Sequence, residues 1–183
     1  MKITIFNGNP DGGNDVFDNY LKRLSDALEL REHTVTTLTL REMDIRYCIG
    51  CFDCWLKTPG ECIVADASQD VCRQFIASDL VLFASPLIMG FTSALLKKAH
   101  DKLVPLIHPY IGIYHDECHH MPRYEKYPLT GLLLEKGRDS DEEDIEITSE
   151  IYRRDALNVH SSLCFTRLTA DSIEEVADEI DRI

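Results

Sequence analysis

A chain of 183 residues with 44% hydrophobic content can bury one full core and is short for two. The net charge of −13 and the lack of any basic stripe exclude a nucleic-acid partner, and no run of about eighteen apolar residues offers a membrane span. Seven cysteines, an odd number, suit thiols or ligands in a reducing compartment better than a disulfide framework, so a soluble, cytoplasmic protein is expected.

Residues 2–6 alternate as a strand, with no charged start and apolar core of a secretory leader, and 7–14 (Asn-Gly-Asn-Pro-Asp-Gly-Gly-Asn) can only be a loop. From Asp15, Val16, Phe17, Tyr20, Leu21, Leu24 and Leu28 recur at helical intervals to about Arg31, and 34–40 reads as a second strand. A Gly- and Pro-punctuated connection carries four cysteines, and Asp66-Ala67-Ser68 then caps a helix through Val71, Phe75 and Ile76. Residues 80–84 form the continuous apolar run of a strand buried on both faces, which Ser85-Pro86 is expected to stop. Helical spacing resumes over 92–107, with Pro105 as a kink or end. Residues 108–128, rich in His, Tyr and Pro, read as an irregular insertion suited to a lid or subunit contact. Strand 129–134 follows, then an acidic run at 139–146 entering a helix over 147–159, a fifth strand at 163–168 and a last helix over 172–183. Five strands alternating with five helices imply one domain over 1–183, an α/β three-layer sandwich on a parallel sheet.

The segment from Tyr47 to Asp66 spaces Cys48, Cys51, Cys54 and Cys62 as C-x2-C-x2-C-x7-C. Two consecutive three-residue steps let three thiolates wrap one centre, as iron–sulfur sites require, whereas structural zinc sites use two separated C-x-x-C pairs. An iron–sulfur cluster of the 4Fe–4S type, a metal-free set of turn-forming thiols and a zinc site all remain open. Cys72 and Cys164 fall on apolar faces as core residues. Trp55 either shields a cofactor or packs on a sheet edge, and Lys97 pairs with Asp101 at i,i+4. Adjacent residues on a strand point opposite ways, which argues against a metal site from Cys118, His119 and His120.

A parallel sheet of this kind binds ligands beyond the carboxyl ends of its strands where strand order reverses, a crevice that residues 7–15, 85–92 and the loop after Leu134 would line. Three stretches there and nearby, Ile3-Thr4-Ile5-Phe6-Asn7-Gly8-Asn9-Pro10, the cysteine segment with Asp66, and Ser85-Pro86-Leu87-Ile88-Met89-Gly90 continuing through Ser93-Ala94-Leu95-Leu96-Lys97 to Asp101-Lys102, resemble the flavodoxin-like NAD(P)H-dependent FMN reductases, including their iron–sulfur flavoprotein branch. The resemblance implies a flavodoxin-like α/β/α sandwich of strand order 2-1-3-4-5. It also implies bound FMN, NAD(P)H as co-substrate, a small-molecule or protein electron acceptor, and a homodimer. Under it, Asn9, Gly12, Gly13, Asn14 and Asp15 would hold the FMN phosphate, and Ser85, Pro86, Leu87, Ile88, Met89 and Gly90 would lie along the flavin ring.

The chain departs from that pattern where Asn9, Asp11 and Asp15 replace the family's Ser, Arg and Thr, and where Ile88 replaces an aromatic. A carboxylate about 6 Å from a phosphate costs on the order of 2–3 kcal/mol at an effective dielectric near 20. The expectation is that Asp11 and Asp15 point outward, leaving the amides of Gly12, Gly13 and Asn14 to bind phosphate. The alternatives are an FMN and iron–sulfur electron carrier without a nicotinamide step, and a flavodoxin-fold binding protein that has lost tight FMN binding.

Overall fold

The structure is a computed structural model that describes residues 1–183. Its strands are β1 (Lys2–Asn7), β2 (Thr34–Thr39), β3 (Leu80–Ile88), β4 (Phe91–Thr92), β5 (Ile107–Tyr114), β6 (Glu117–Pro122), β7 (Leu129–Glu135) and β8 (Leu163–Leu168). Its α-helices are α1 (Asp15–Leu30), α2 (Asp53–Leu56), α3 (Ser68–Ala77), α4 (Ala94–Asp101), α5 (Glu142–Asn158) and α6 (Ile173–Ile180). Five strands pair in parallel in the order β2-β1-β3-β7-β8. Counted alone, these five give the expected 2-1-3-4-5 order of a flavodoxin-like sheet. No helix is long and apolar enough to cross a membrane.

The continuous apolar runs of β1, β3 and β7 follow from cover on both faces. Ile3, Ile5, Leu80, Leu82 and Leu133 pack under α1 and α6 against Phe17, Leu21, Leu24, Leu28, Val176 and Ile180. Phe6, Val81, Phe83, Leu132 and Leu134 face the other way onto Val71 and Phe75 of α3, Leu96 and Ala99 of α4 and Tyr152 of α5. Each fully buried side chain of this size contributes about 1.5–3 kcal/mol.

Several boundaries differ from the sequence reading, each for a local reason. Ser85-Pro86 does not stop β3, which runs to Ile88 and turns back as β4 through Met89 and Gly90, both at positive φ (54° and 79°). The Gly8 amide donates to the Ala84 carbonyl, so Pro86, two residues on, faces the same side, where β1 has already ended. Its missing N–H leaves no ladder bond unmade there. Helix α4 ends at Asp101 rather than reaching residue 107, and a 3-10 turn at Val104–Leu106 with Pro105 in its first turn follows. Helix α5 begins at Glu142, not 147, because Asp141 and Asp144 form a reciprocal capping box and the first-turn acids suit the helix dipole.

The stretch expected to be irregular is instead a β-hairpin, β5 with β6, closed by His115 and Asp116 at φ 51° and 62°. Cys164, expected in the core, is exposed on the edge strand β8. Cys72 packs against the core, its thiol donating to the Lys102 carbonyl at 3.2 Å.

Candidate functional site

Strand order reverses between β1 and β3, and the loop after β1 meets the β3–β4 hairpin at that point. Gly8 is wedged in: a Cβ there would lie 2.6 Å from the Leu96 Cβ and 3.0 Å from the Ala84 carbonyl. The Ser93 hydroxyl donates to the Gly8 carbonyl and caps α4 by accepting from the Leu96 amide at 3.1 Å. Ser85 is fully buried, accepting from the Ser93 amide at 2.8 Å and donating to the Pro86 carbonyl. Leu87 is also buried, so Ile88 (45% exposed) and Met89 (100% exposed) are the side chains this stretch offers outward. Pro86 is half-buried beside them. Gly90 sits against α5, where an added Cβ would come 2.6 Å from the Asp144 carboxylate.

The loop itself is tied down from below. Asn9, fully buried, accepts the Asp11 amide on its side-chain oxygen (3.0 Å) and donates to Asp18 (3.2 Å). Asp18 also takes the Asn7 side chain at 2.8 Å and the Arg41 guanidinium at 2.8 Å. Burial raises the Asp18 carboxyl, and these donors outweigh it, holding the group below the usual carboxylate range. Arg41 donates as well to the Asn9 carbonyl and would stand 3.7 Å from a Cβ at Gly12, which places a cation beside the loop. Its signal was positional: the parallel register Asn7 to Thr39 brings residues just after β2 alongside the loop after β1.

The amides are only partly free. The Asp11 carboxylate folds back onto the Gly13 amide at 2.8 Å, and the Asp11 carbonyl takes the Asn14 amide at 3.1 Å. The expectation that Asp11 points away and that Gly13 and Asn14 supply donors is therefore corrected: an Asx turn satisfies one amide and a backbone turn the other. The amides of Gly12, Asp15 and Val16 have no partner within the protein. Asn14 caps α1 through the Phe17 amide and donates to Glu135 at 2.8 Å, which adds a third carboxylate near the loop. Asp15 is exposed and its carboxylate bonds no other group of the protein. Three unpartnered donors at and just before the N-terminus of α1, beside Arg41, still fit a phosphate, in a rim more acidic than such a group prefers.

The connection from β2 to α3 builds a second site. Cys48, Cys51, Cys54 and Cys62 all line one cavity of about 60 Å³, with Tyr47, Phe52, Ile63, Lys102 and Pro105 among its walls. Left-handed backbone at Gly50 (φ 65°) and Phe52 (φ 59°) curls the chain around it. No three acidic, histidine or cysteine side chains converge as ligands of a single ion. Burial, and then the neighbouring sulfurs of Cys62, Cys48 and Cys51, which would repel it when ionised, push the Cys54 thiol up. Four sulfurs lining one space are the donor type of an iron–sulfur centre.

An ion pair invisible to sequence spacing underlies this loop. The side chains of Lys102 and Asp66 are 2% and 0% exposed, 3.2 Å apart, and the Lys102 ammonium also reaches the Cys62 sulfur at 3.5 Å. Asp66 accepts the amides of Arg46 at 3.0 Å and Ser68 at 2.9 Å, stapling both ends of the cysteine loop. Burial opposes the Asp66 charge, and the Ser68, Arg46 and Lys102 donors outweigh it, drawing its carboxyl down to about 2. Trp55 pins the loop to the hairpin base, donating to the Ile107 carbonyl at 2.9 Å and stacking on Phe52. The two sites lie at opposite ends of α4, whose eight residues span about 12 Å.

The remaining residues stay apart. Lys97 pairs with Asp101. His119 bonds Asn158 and Glu117, His120 donates to the His108 carbonyl, and Cys118 is exposed, so strand alternation separates the three.

The model of a family described as NADPH-dependent FMN reductase matches residues 1–115. An iron-sulfur flavoprotein of Archaeoglobus fulgidus is 32% identical over 95 residues, 50% of this chain and 42% of that protein. One from Methanocaldococcus jannaschii is 30% identical over 69 residues, 38% of this chain and 35% of that one. The matched stretch is thus less than half of either relative. Among solved structures, an FMN-dependent NADH-azoreductase of Bacillus anthracis, in complex with FMN, superposes with a TM-score of 0.68 at 12% identity, covering 99% of this chain and 98% of that one. The apo form of an NADH:FMN oxidoreductase gives 0.60 at 12% identity, covering 99% and 87%. At such identities these two show the fold.

Proposed function

Because the chain belongs to the NADPH-dependent FMN reductase family, we propose that it is an FMN-dependent oxidoreductase drawing on NAD(P)H and passing electrons to a small-molecule or protein acceptor. The observation that carries this reading is the set of partnerless amides at Gly12, Asp15 and Val16, beside Arg41 and at the reversal of strand order. Bound FMN would supply the chemistry, accepting a hydride from the nicotinamide and giving up two electrons to the acceptor. The protein's part is to hold the phosphate on those amides and to set Ile88 and Met89 beside the ring. Fully bonded Ser85 and Ser93 keep that hairpin rigid.

The four thiols lining one cavity a helix away favour a second element of the reading, a 4Fe–4S cluster on Cys48, Cys51, Cys54 and Cys62 that relays electrons to or from the flavin. Exposed Tyr110, Ile111 and Ile113 on the hairpin support a homodimer contact, and seven free cysteines suit the cytoplasm. Anaerobic assay of NADH and NADPH oxidation with a quinone acceptor, with and without added FMN, tests the core proposal. Oxidation that depends on FMN is expected. Protein that takes up no FMN and oxidises neither nucleotide would overturn the proposal and leave a flavin-free binding protein.

A further inference from the structure

A lysine ammonium is rarely taken wholly out of water, and Lys102 is only 2% exposed. Its partner Asp66 ties both ends of the loop through two backbone amides, a role that a cation neutralising Asp66 supports without reaching any sulfur. What Lys102 adds is reach: from Asp66 at 3.2 Å it extends to the Cys62 sulfur at 3.5 Å, and it lines the same cavity as all four cysteines. Its backbone carbonyl meanwhile accepts the Cys72 thiol, which fixes the residue just past α4.

We propose that Lys102 is a positioning residue that sets the redox balance of the cysteine site: aimed by Asp66, it donates to the Cys62 sulfur and raises the reduction potential of a cluster held by the four cysteines. This rests on the cluster reading above. One-electron reduction of such a centre adds a negative charge to a buried cavity, and a hydrogen-bonded cation beside a ligand sulfur stabilises the reduced form. Asp66 tempers that effect from the far side of the ammonium. The two residues therefore act with opposite signs, which a purely structural latch would not do.

The test uses full-length protein reconstituted anaerobically with ferrous iron and sulfide. Iron and sulfide are counted, and the one-electron couple is titrated with dithionite and followed by electron paramagnetic resonance. Lys102→Met should shift the oxidation equilibrium at least tenfold toward the oxidised form, which is 59 mV lower for a one-electron couple. Lys102→Arg keeps the charge and should stay within about threefold of wild type, while Asp66→Asn should move the equilibrium the other way. If Lys102→Met does not fold, the arginine and asparagine variants still decide. A filled cluster whose potential is the same in Lys102→Met and Asp66→Asn as in wild type would overturn this inference alone. Wild-type protein that takes up no iron and sulfide would overturn the cluster reading and this inference with it.

Discussion

The loops after β1 and β2 are held by the same device in two dielectric settings. Under the first, Asp18 gathers Asn7, Asn9 and Arg41, with Asp18 and Arg41 side chains 25% and 23% exposed. Under the second, Asp66 gathers two backbone amides and Lys102, and the pair is essentially dry. Water beside the first pair weakens the attraction and eases its loss, whereas the second must be kept whole, because a lone charge in its place has no solvent to turn to. The first loop can therefore adjust around a ligand that comes and goes, while the second is built to hold four sulfurs in place.

The sharpest way to break this contrast is to remove one partner of the dry pair. Lys102→Met should lower unfolding stability by about 3–5 kcal/mol, and Asp66→Asn with Lys102→Met should recover much of it, since no unpaired charge remains. Arg41→Met, by contrast, should cost about 1 kcal/mol or less. Urea denaturation of the apo proteins separates the cases, and equal losses would erase the distinction. Close packing predicts the next largest effect. Gly8→Ala drives a methyl into Leu96 and the Ala84 carbonyl, and a loss of about 1–3 kcal/mol is expected by the same measurement.

Acid should reveal the dry pair as well. The Asp66 carboxyl is drawn from its ordinary 3.8 down to about 2, so its contribution is complete above about pH 4 and disappears as pH falls toward 2. Lys102 is raised above its ordinary 10.5, so its share persists through neutral pH and is lost only as pH rises through that higher value. Stability curves of wild type and Asp66→Asn should converge below about pH 2, separate between about pH 2 and 4, and keep a constant gap above that. Parallel curves across that window would remove Asp66 from the account.

The smallest effect concerns the wet loop. Asp11→Ala frees the Gly13 amide and removes a carboxylate from the phosphate rim, so FMN should bind about tenfold tighter, or about 1.4 kcal/mol, by fluorescence titration. Unchanged affinity would mean that the phosphate sits elsewhere.

These two loops also mark where sequence reasoning reached its limit. The sheet was legible because apolar runs such as Leu80 to Ala84 have one explanation in a parallel strand covered on both faces, and crossover rules then leave few strand orders. The β5–β6 hairpin was not, since His115 and Asp116 adopt the positive φ that Asn-Gly would have advertised. Asp66 and Lys102 are 36 residues apart and meet only because the cysteine loop folds back over the end of α4. The Asp11 turn onto Gly13 was local and readable in principle. Asp11 carries both a charge and the capacity to bond two residues ahead, and the second shapes the loop.

The most direct test of the account is a comparison of FMN and riboflavin binding to the wild-type protein by quenching of flavin fluorescence. If the amides of Gly12, Asp15 and Val16 hold the phosphate, FMN binds and riboflavin binds at least about tenfold more weakly. Equal affinities, or no binding of either, would contradict the placement of the flavin phosphate at the loop after β1 and the oxidoreductase reading built on it.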